Sequence, residues 1–457
     1  MKLIKSLFIA LMALAPMAGR CQQQLTLEQC RNLALEYNKE IAASAKATES
    51  AAFTAKSYKG NFFPNIYASG TGLYSTADGY FSSGSGYLPT LTPDASTGSL
   101  AADGGYAYFP GMDLKYDVDA VFMGGITLEQ PIYMGGKINS AYKMALIGKD
   151  IAEQQEALTE TEVIQQTDEA YANVVRASEM EKVALSYQDL LKELMRTVES
   201  AYKNGMKPKN DVLKVQVKLN ESELGLRKAE NALRLAKMNL CHYIGKPLSE
   251  DISISGELPF VERPDLSSSD ITSRPEYSIL EKQVDLANQQ VKLNRSEMLP
   301  QIGLSASYNY IHGVDVNDYT LLDNGNFTAM LNVSIPLFHF GERKHKVSAA
   351  KAKLIEAQMD QQDLNEKMTL ELAQAANNLD EAFLEQEIAE RSLSQAEENM
   401  RMSKSQYGAG METLSDHLEA QALWQEAYCR KIDADCQLYL AYIAYKKAAG
   451  TLRAESD

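Results

Sequence analysis

The chain repeats itself at a fixed offset, and that repetition limits what it can fold into. Sliding the sequence by 205 positions places Pro131 on Pro336, Gly136 on Gly341, Tyr202 on Tyr407, Gly205 on Gly410 and Gly245 on Gly450. Within each copy lies a segment nearly free of helix breakers. Residues 137–203 contain Gly148 alone, and 342–407 contain neither glycine nor proline. A helix interior disfavours Pro by about 3 kcal/mol and Gly by about 1 kcal/mol. Each segment therefore reads as one helix of about 66 residues, roughly 100 Å long at 1.5 Å per residue. The fold class is mainly α, a duplicated unit built on two very long rods.

Shorter helices flank the rods. Past Tyr202 the chain breaks at Asn204-Gly205 and Pro208, and a helix resumes from Asp211 to Tyr243. The second copy turns at Gly408-Ala409-Gly410 and resumes near Ser415 to Ala449. A first helix is expected over Leu25–Lys59, with Thr26 as N-cap and Leu27, Cys30, Leu33, Ala34, Tyr37 and Ile41 on one face. At an offset of 236 it recurs as Glu276–Glu297, and Phe63-Pro64 falls on Leu299-Pro300. Two half-length helices can thus stack end to end beside each rod. Val347, Ala350, Leu354, Ala357, Leu364, Met368, Leu372, Ala375 and Leu379 form a coiled-coil-like seam along the second rod.

After Pro300 the period changes to two. Ile302, Leu304, Ala306, Tyr308 and Tyr310 alternate with Gly303, Ser305, Ser307 and Asn309, and Phe327, Ala329, Leu331, Val333 and Ile335 with Thr328, Met330, Asn332 and Ser334. Strands of about ten residues with this pattern suit a membrane barrel. In the first copy Pro64–Tyr74 and Ala120–Tyr133 alternate more weakly. The intervening Ser75–Asp119, rich in Gly, Ser, Asp and Tyr with Pro89, Pro93 and Pro110, reads as a long loop. Gly135-Gly136 marks a strand-to-helix bend after Pro131, and Gly341 after Pro336 marks its counterpart.

A net charge of −16 and a pI near 5.0 speak against nucleic acid as a partner. Mean hydropathy is −0.30 and no mature segment holds 18 apolar residues in a row, so a barrel is the remaining route through a bilayer. Lys2, Lys5 and the apolar Leu7–Ala15 make residues 1–21 an export signal. Cleavage after Cys21 leaves Gln22 first. A lipoprotein signal also ends at a cysteine, but Arg20 stands where a small residue is expected. Cys30, Cys241, Cys429 and Cys436 lack metal-ligand spacing. A Cys30–Cys241 disulfide is open to an exported chain, and burial as small apolar residues is the simpler reading. His339 and His345 have no acid or cysteine at ligand spacing, and no phosphate-cradling loop or nucleophile–base pair is present. Neither cofactor nor catalysis is expected.

The opening Leu25-Thr26-Leu27-Glu28-Gln29-Cys30-Arg31-Asn32-Leu33-Ala34-Leu35 carries a family likeness. So do the strand ends Gln130-Pro131-Ile132-Tyr133 and Ile335-Pro336-Leu337-Phe338 and the turns Tyr202-x-x-Gly205 and Tyr407-x-x-Gly410. Over 25–450 the sequence resembles the TolC family of outer-membrane efflux proteins. The resemblance implies a homotrimer in the outer membrane of a Gram-negative bacterium. Four strands per chain would form a twelve-stranded barrel in outer-membrane lipid, continued by an α-helical tunnel across the periplasm. The organisation would be signal peptide 1–21, first repeat 22–245, a connector 246–274 at the tunnel's middle, second repeat 275–450 and tail 451–457. The tunnel's closed tip would hold Tyr407, Asp211, Asp416 and Glu419 as constriction residues. Glu412 occupies the place of the family's latch arginine, which puts the ionic latch in doubt; Lys207 or Lys209 is left to supply the charge. The turns at Tyr202, Gly205, Gly410 and Leu414 would dock a periplasmic adaptor, coupled to an inner-membrane pump of the resistance-nodulation-division or ABC type. The rival reading is a secreted coiled-coil scaffold with a small β-domain, for which two-faced strands have no use.

Overall fold

The computed structural model describes residues 24–452 apart from 95, 265–269 and 318, with backbone alone at 116–119, 314–316 and 320–322. The export signal expected over 1–21 lies outside the described residues. The chain divides into two compact units: Phe53–Leu146 with Ala287–Leu354 forms a sheet unit, and the remainder forms a helical unit.

The two rods appear where the missing breakers placed them, as α3 (Lys137–Lys203) and α6 (Glu342–Gly408), each 67 residues long. Their return helices α4 (Lys209–Tyr243) and α7 (Leu414–Ala448) are each 35 residues. The opening helix differs from the reading as one piece: it is α1 (Leu27–Tyr37) and α2 (Lys39–Gly60), interrupted at Asn38. Thr26 caps α1 in a reciprocal capping box with Gln29, as expected of an N-terminal Thr-x-x-Gln. Asn38 stands outside helical geometry because its side chain is used twice. It accepts from Glu40 N at 2.8 Å, starting α2, and donates to the Tyr243 carbonyl at 3.0 Å. The counterpart in the second repeat is α5 (Pro275–Ser296).

The repeated glycines end helices. Gly205, Gly245, Gly410 and Gly450 all sit at φ between 70° and 74°. In each case the next residue donates to a carbonyl five positions back: Met206 to Ala201, Lys246 to Cys241, Met411 to Gln406 and Thr451 to Lys446. That is the Schellman closure, which needs a left-handed residue and so selects Gly. The duplication extends to contacts. A Cβ on Gly245 would meet the Cβ of Tyr37 at 2.5 Å, and one on Gly450 would meet Ser273, the position 236 residues beyond Tyr37.

The helical core has two main clusters. One joins Ile164 of α3, Leu379 of α6 and Tyr439 and Ile443 of α7. The other joins Cys30 of α1, Tyr171 of α3, Leu240 and Cys241 of α4 and Ile244 just past its end with Ile252 of the connector. Each large side chain so buried contributes about 1.5–3 kcal/mol. Cys30 and Cys241 are buried free thiols, and burial pushes Cys30 up to about 12, which keeps it unreactive. The connector is tied down by Leu25 N to Ser253 O at 2.9 Å and Ser255 N to Leu25 O at 3.0 Å. Tyr171 Oη meets Ser255 Oγ at 2.7 Å. Arg31 of α1 grips the fully buried Asp168 of α3 through two bonds of 2.7 and 2.6 Å.

The sheet unit holds β1 (Asn65–Ser83), β4 (Met112–Met134), β5 (Gln301–Val316) and β6 (Tyr319–Ser334), all antiparallel in that order. These strands run 16–23 residues rather than about ten. The expected loop Ser75–Asp119 is largely strand as well. It supplies the outer halves of β1 and β4 and a separate hairpin, β2 (Gly86–Pro93) with β3 (Leu100–Phe109). The composition misleads because pairing is decided across strands: Ala77 to Ser83 continue the ladder against Val118 to Met112 past a bulge. Pro89 and Pro93 are tolerated because β2 pairs on one side only. The bends follow the glycines, with Gly136 at φ 88° and Gly341 at φ 86° after Pro131 and Pro336.

Removing Asp168 strands a nearly buried guanidinium, so Asp168→Ala should lower stability by about 3–5 kcal/mol. Asp433→Ala, which breaks the half-exposed Arg176–Asp433 pair, should change it by about 0.5 kcal/mol or less. Thermal melting in detergent, followed by far-ultraviolet circular dichroism, checks the contrast.

Candidate functional site

Two features bear on function: the faces of the sheet and the turns where the rods reverse. In the sheet, register sorts the side chains. Directly paired residues share a face, which puts Ile66 with Leu128, Ala68 with Ile126, and Ile126 with Tyr308 and Phe327. Leu304 with Leu331 and Ile302 with Val333 belong to the same face. The opposite face carries Ser69, Thr71, Thr127, Ser305, Ser307, Asn309, Thr328 and Asn332. The weakly patterned first copy thus resolves into the same two faces as the second. Its glycines make room: a Cβ on Gly125 would strike the Asn309 amide at 2.3 Å. In the second copy a Cβ on Gly325 would likewise strike the Tyr308 hydroxyl. No helix among the described residues is long and apolar enough to cross a membrane.

At the turns, Leu194, Met195 and Val198 of α3, Val215 of α4 and Leu414 of α7 form a buried cluster. Tyr407 borders it, half-buried, and stacks on His417 with ring centroids 5.0 Å apart and planes within 2°. Lys207, from the other turn, lies over the Tyr407 ring at 5.2 Å. Burial first, then the charge of Asp211, raises the Tyr407 phenol above its ordinary value, so it stays neutral and able to donate. Asp211 is half-exposed in the first turn of α4. Asp416 and Glu419 are exposed on α7. Asp416 N donates to Thr413 Oγ1 at 3.2 Å while Thr413 Oγ1 donates back to Asp416 Oδ2 at 2.7 Å, which fixes the carboxylate at the helix start. Carboxylates there also complement the helix dipole.

Of the residues assigned to docking, Tyr202 is exposed and Gly205 and Gly410 shape the turns. Leu414 packs inside this chain at 4 % exposure and offers no surface, a correction to its assignment. At the latch arginine's position, Glu412 has one carboxylate oxygen buried without a hydrogen-bond partner.

The sequence reading missed His417, which is 3 % exposed. Gln421 Nε2 donates to its Nε2 at 3.0 Å, so the ring proton sits on Nδ1 and is donated to Ser403 Oγ at 2.9 Å. The available cue was spacing: Leu414, His417 and Gln421 recur at three and four on one stripe of α7. Burial holds His417 below its ordinary pKa, outweighing the opposing pull of Glu412, and Lys404 adds to the lowering.

A chain with one apolar and one polar sheet face joined to rods of this length is built as a channel protein of the outer membrane. It belongs to the outer membrane efflux protein family, whose model matches residues 30–246 and 266–451. The pyoverdine export outer membrane protein OpmQ of Pseudomonas aeruginosa is 25% identical over 368 residues, 78% of this chain and 74% of that protein. The outer membrane protein TolC of Vibrio cholerae is 24% identical over 340 residues, 72% of this chain and 76% of that protein. Among solved structures, the Campylobacter jejuni CmeC outer membrane channel superimposes with a TM-score of 0.74 at 20% identity, covering 93% of this chain and 85% of that one. The Vibrio cholerae VceC outer membrane protein does so with a TM-score of 0.73 at 16% identity, covering 93% and 96%. The protein is an exit duct of the outer membrane that extends into the periplasm, and the scaffold reading falls.

His417 sets a pH dependence for the turns. Its folded pKa lies below the unfolded value of about 6.5. The stability it contributes is therefore complete above about pH 6.5 and lost as pH falls through the folded value. Melting temperature should drop between pH 7.5 and pH 5, and His417→Gln should flatten that dependence.

Proposed function

We propose that three copies of this chain close one twelve-stranded barrel, and that their rods enclose a periplasmic passage that conducts substrates passively. The observation that carries the reading is the four-stranded sheet, apolar on one face and unpaired along the outer edges of β1 and β6. In hydrocarbon each unpaired backbone group costs several kcal/mol, so such a sheet must close with further strands. The rods are incomplete too: α6 leaves Ile355, Met359, Leu370, Leu384 and Ile388 exposed, apolar surface that neighbouring copies would cover.

The turns then form the constriction. Copies of Asp416 and Glu419 brought together on an axis would repel one another, at about 1 kcal/mol per pair 4 Å apart in water and more where water is excluded. They would favour cations. Tyr407 and Asp211 border them, and Lys207 above the Tyr407 ring supplies the positive charge that Glu412 cannot. A cation over a ring is worth about 0.5–1 kcal/mol at an exposed site, enough to bias a closed turn and weak enough to release. The chain performs no catalysis. A periplasmic adaptor docks at the exposed turn residues Tyr202, Gly205 and Gly410, and an inner-membrane pump of the resistance-nodulation-division or ABC type supplies energy. One relative is named for pyoverdine export and another, AprF of Pseudomonas aeruginosa, for alkaline protease secretion. Choice of cargo accordingly belongs to the pump.

Reconstitution in planar bilayers tests the constriction. The parent should show small cation-preferring conductances, and Asp416→Ala with Glu419→Ala should raise conductance and weaken the preference. Unchanged conductance and selectivity would remove these residues from the bore.

A further inference from the structure

The unpaired edges of the sheet carry information about their partner, because the chain already contains the junction they would form. The duplication maps β4 onto β6 at an offset of 205 and β5 onto β1 at an offset of 236. The pairing of β4 with β5 inside one chain is thus a template for β6 against β1 of a second copy. We infer that the seam between copies repeats that register, setting Leu331 opposite Gly72, Val333 opposite Gly70 and Ile335 opposite Ala68, with Phe340 as an aromatic wedge at its foot. The inference rests on the reading of the chain as one part of a closed barrel.

Three observations support it. The same two offsets already reproduce a contact elsewhere, Gly245 on Tyr37 and Gly450 on Ser273. The transferred register also keeps the faces apart. Leu128 opposite Ala306 becomes Val333 opposite Gly70, and Thr127 opposite Ser307 becomes Asn332 opposite Thr71. On the apolar face Leu331, Val333 and the following Ile335 meet Gly72, Gly70 and Ala68, Phe327 falls opposite Thr76, and Ala329 meets Tyr74.

The clearest support comes from two residues that break the polar face. Met330 is the sole aliphatic side chain among the polar-face positions 324–334 of β6, and Leu73 the sole one among 65–73 of β1. They are 57 % and 50 % exposed, on the two edge strands. The transferred register puts them directly opposite each other, where they cover one another.

Phe340 marks where seam and template part. Its counterpart Gly135 has φ 63° and Phe340 has φ 44°, a left-handed conformation that suits glycine and strains phenylalanine. A Cβ on Gly135 would meet the Ser296 carbonyl at 2.6 Å and the Leu299 Cβ at 2.8 Å. At the seam the mapped residues are Gly60 and Phe63 of the next copy. The junction there must stand wider by a side chain, and the Phe340 ring fills the gap. In the single chain Phe340 is 91 % exposed, stacks edge-on with Phe338 at 4.7 Å, and Phe63 is 62 % exposed. Two exposed phenylalanines mapped onto each other make a hydrophobic contact that only a second copy supplies.

Oxidative cross-linking in the outer membrane tests the register. The pairs Asn332→Cys with Thr71→Cys and Val333→Cys with Gly70→Cys cover both the wide and the narrow type of antiparallel pair. Each should give reducible dimers and trimers on denaturing gels. Val333→Cys with Gly72→Cys, two residues out of step, holds the sulfurs beyond disulfide reach and should stay monomeric. Cross-linking of the shifted pair, or of none while the protein still sizes as a trimer in detergent, overturns the register and leaves the trimer standing. A monomer by sizing overturns both. Phe340→Ala should lose its denaturant-resistant trimer band at a temperature where the parent keeps it. A trimer as heat-resistant as the parent would remove Phe340 from the seam.

Discussion

Backbone hydrogen bonding in lipid is the constraint on which this protein depends. Each β-strand must hand its N–H and C=O groups to a neighbour, because hydrocarbon offers none and each orphan costs several kcal/mol. Among the described residues one chain contributes four strands to the main sheet and leaves β1 and β6 paired on one side only. The sheet is stable in a membrane only as a fraction of something closed. The rods are unfinished for a different reason: they leave apolar side chains uncovered that neighbouring rods can bury. Assembly is thus written into the single chain as unfinished edges.

Duplication is how the chain meets that constraint economically. One repeat, with two strands and two rod-lengths of helix, presents one kind of edge at each side. The β4–β5 junction within a chain and the β6–β1 junction between chains then become versions of one interface. Gly135 gives way to Phe340 between the repeats, so on the register inferred above the internal junction is sealed by backbone and the external one by a side chain. The same economy appears in the helical unit, where four helices end in the same glycine closure. Most ion pairs there are exposed and three or four residues apart, such as Lys46–Glu49 and Lys367–Asp363, and contribute little. Arg31–Asp168 is different: both partners leave water, so it aligns α1 on α3.

Much of this was legible in the sequence. The breaker-free runs bounded α3 and α6 to within a residue, and Thr26 marked the start of α1. The break at Asn38 was not legible, because it depends on a bond to the Tyr243 carbonyl about two hundred residues away. The hairpin of β2 and β3 looks like loop in the sequence, because Gly, Ser and Asp lower strand propensity and only a paired neighbour overrides it. At the turns the family likeness points to Tyr407, Asp211, Asp416 and Glu419, whereas the stacking of Tyr407 on His417 with Lys207 above it is visible only in three dimensions. Leu414 reads as a surface residue of the turn, and its burial among Leu194, Val198 and Val215 reflects packing from two other helices.

The sequence by itself determined the repeat, the rods, the turn glycines and the two-faced strands of the second copy. All of these arise from local effects: a missing breaker, a left-handed residue, a period of two. Tertiary structure alone decided the strand register, the true extent of the sheet, the fate of Cys30 and Cys241, and the burial of His417. Those depend on which groups meet across long separations. There burial and pairing outweigh the few tenths of a kcal/mol that local preference supplies.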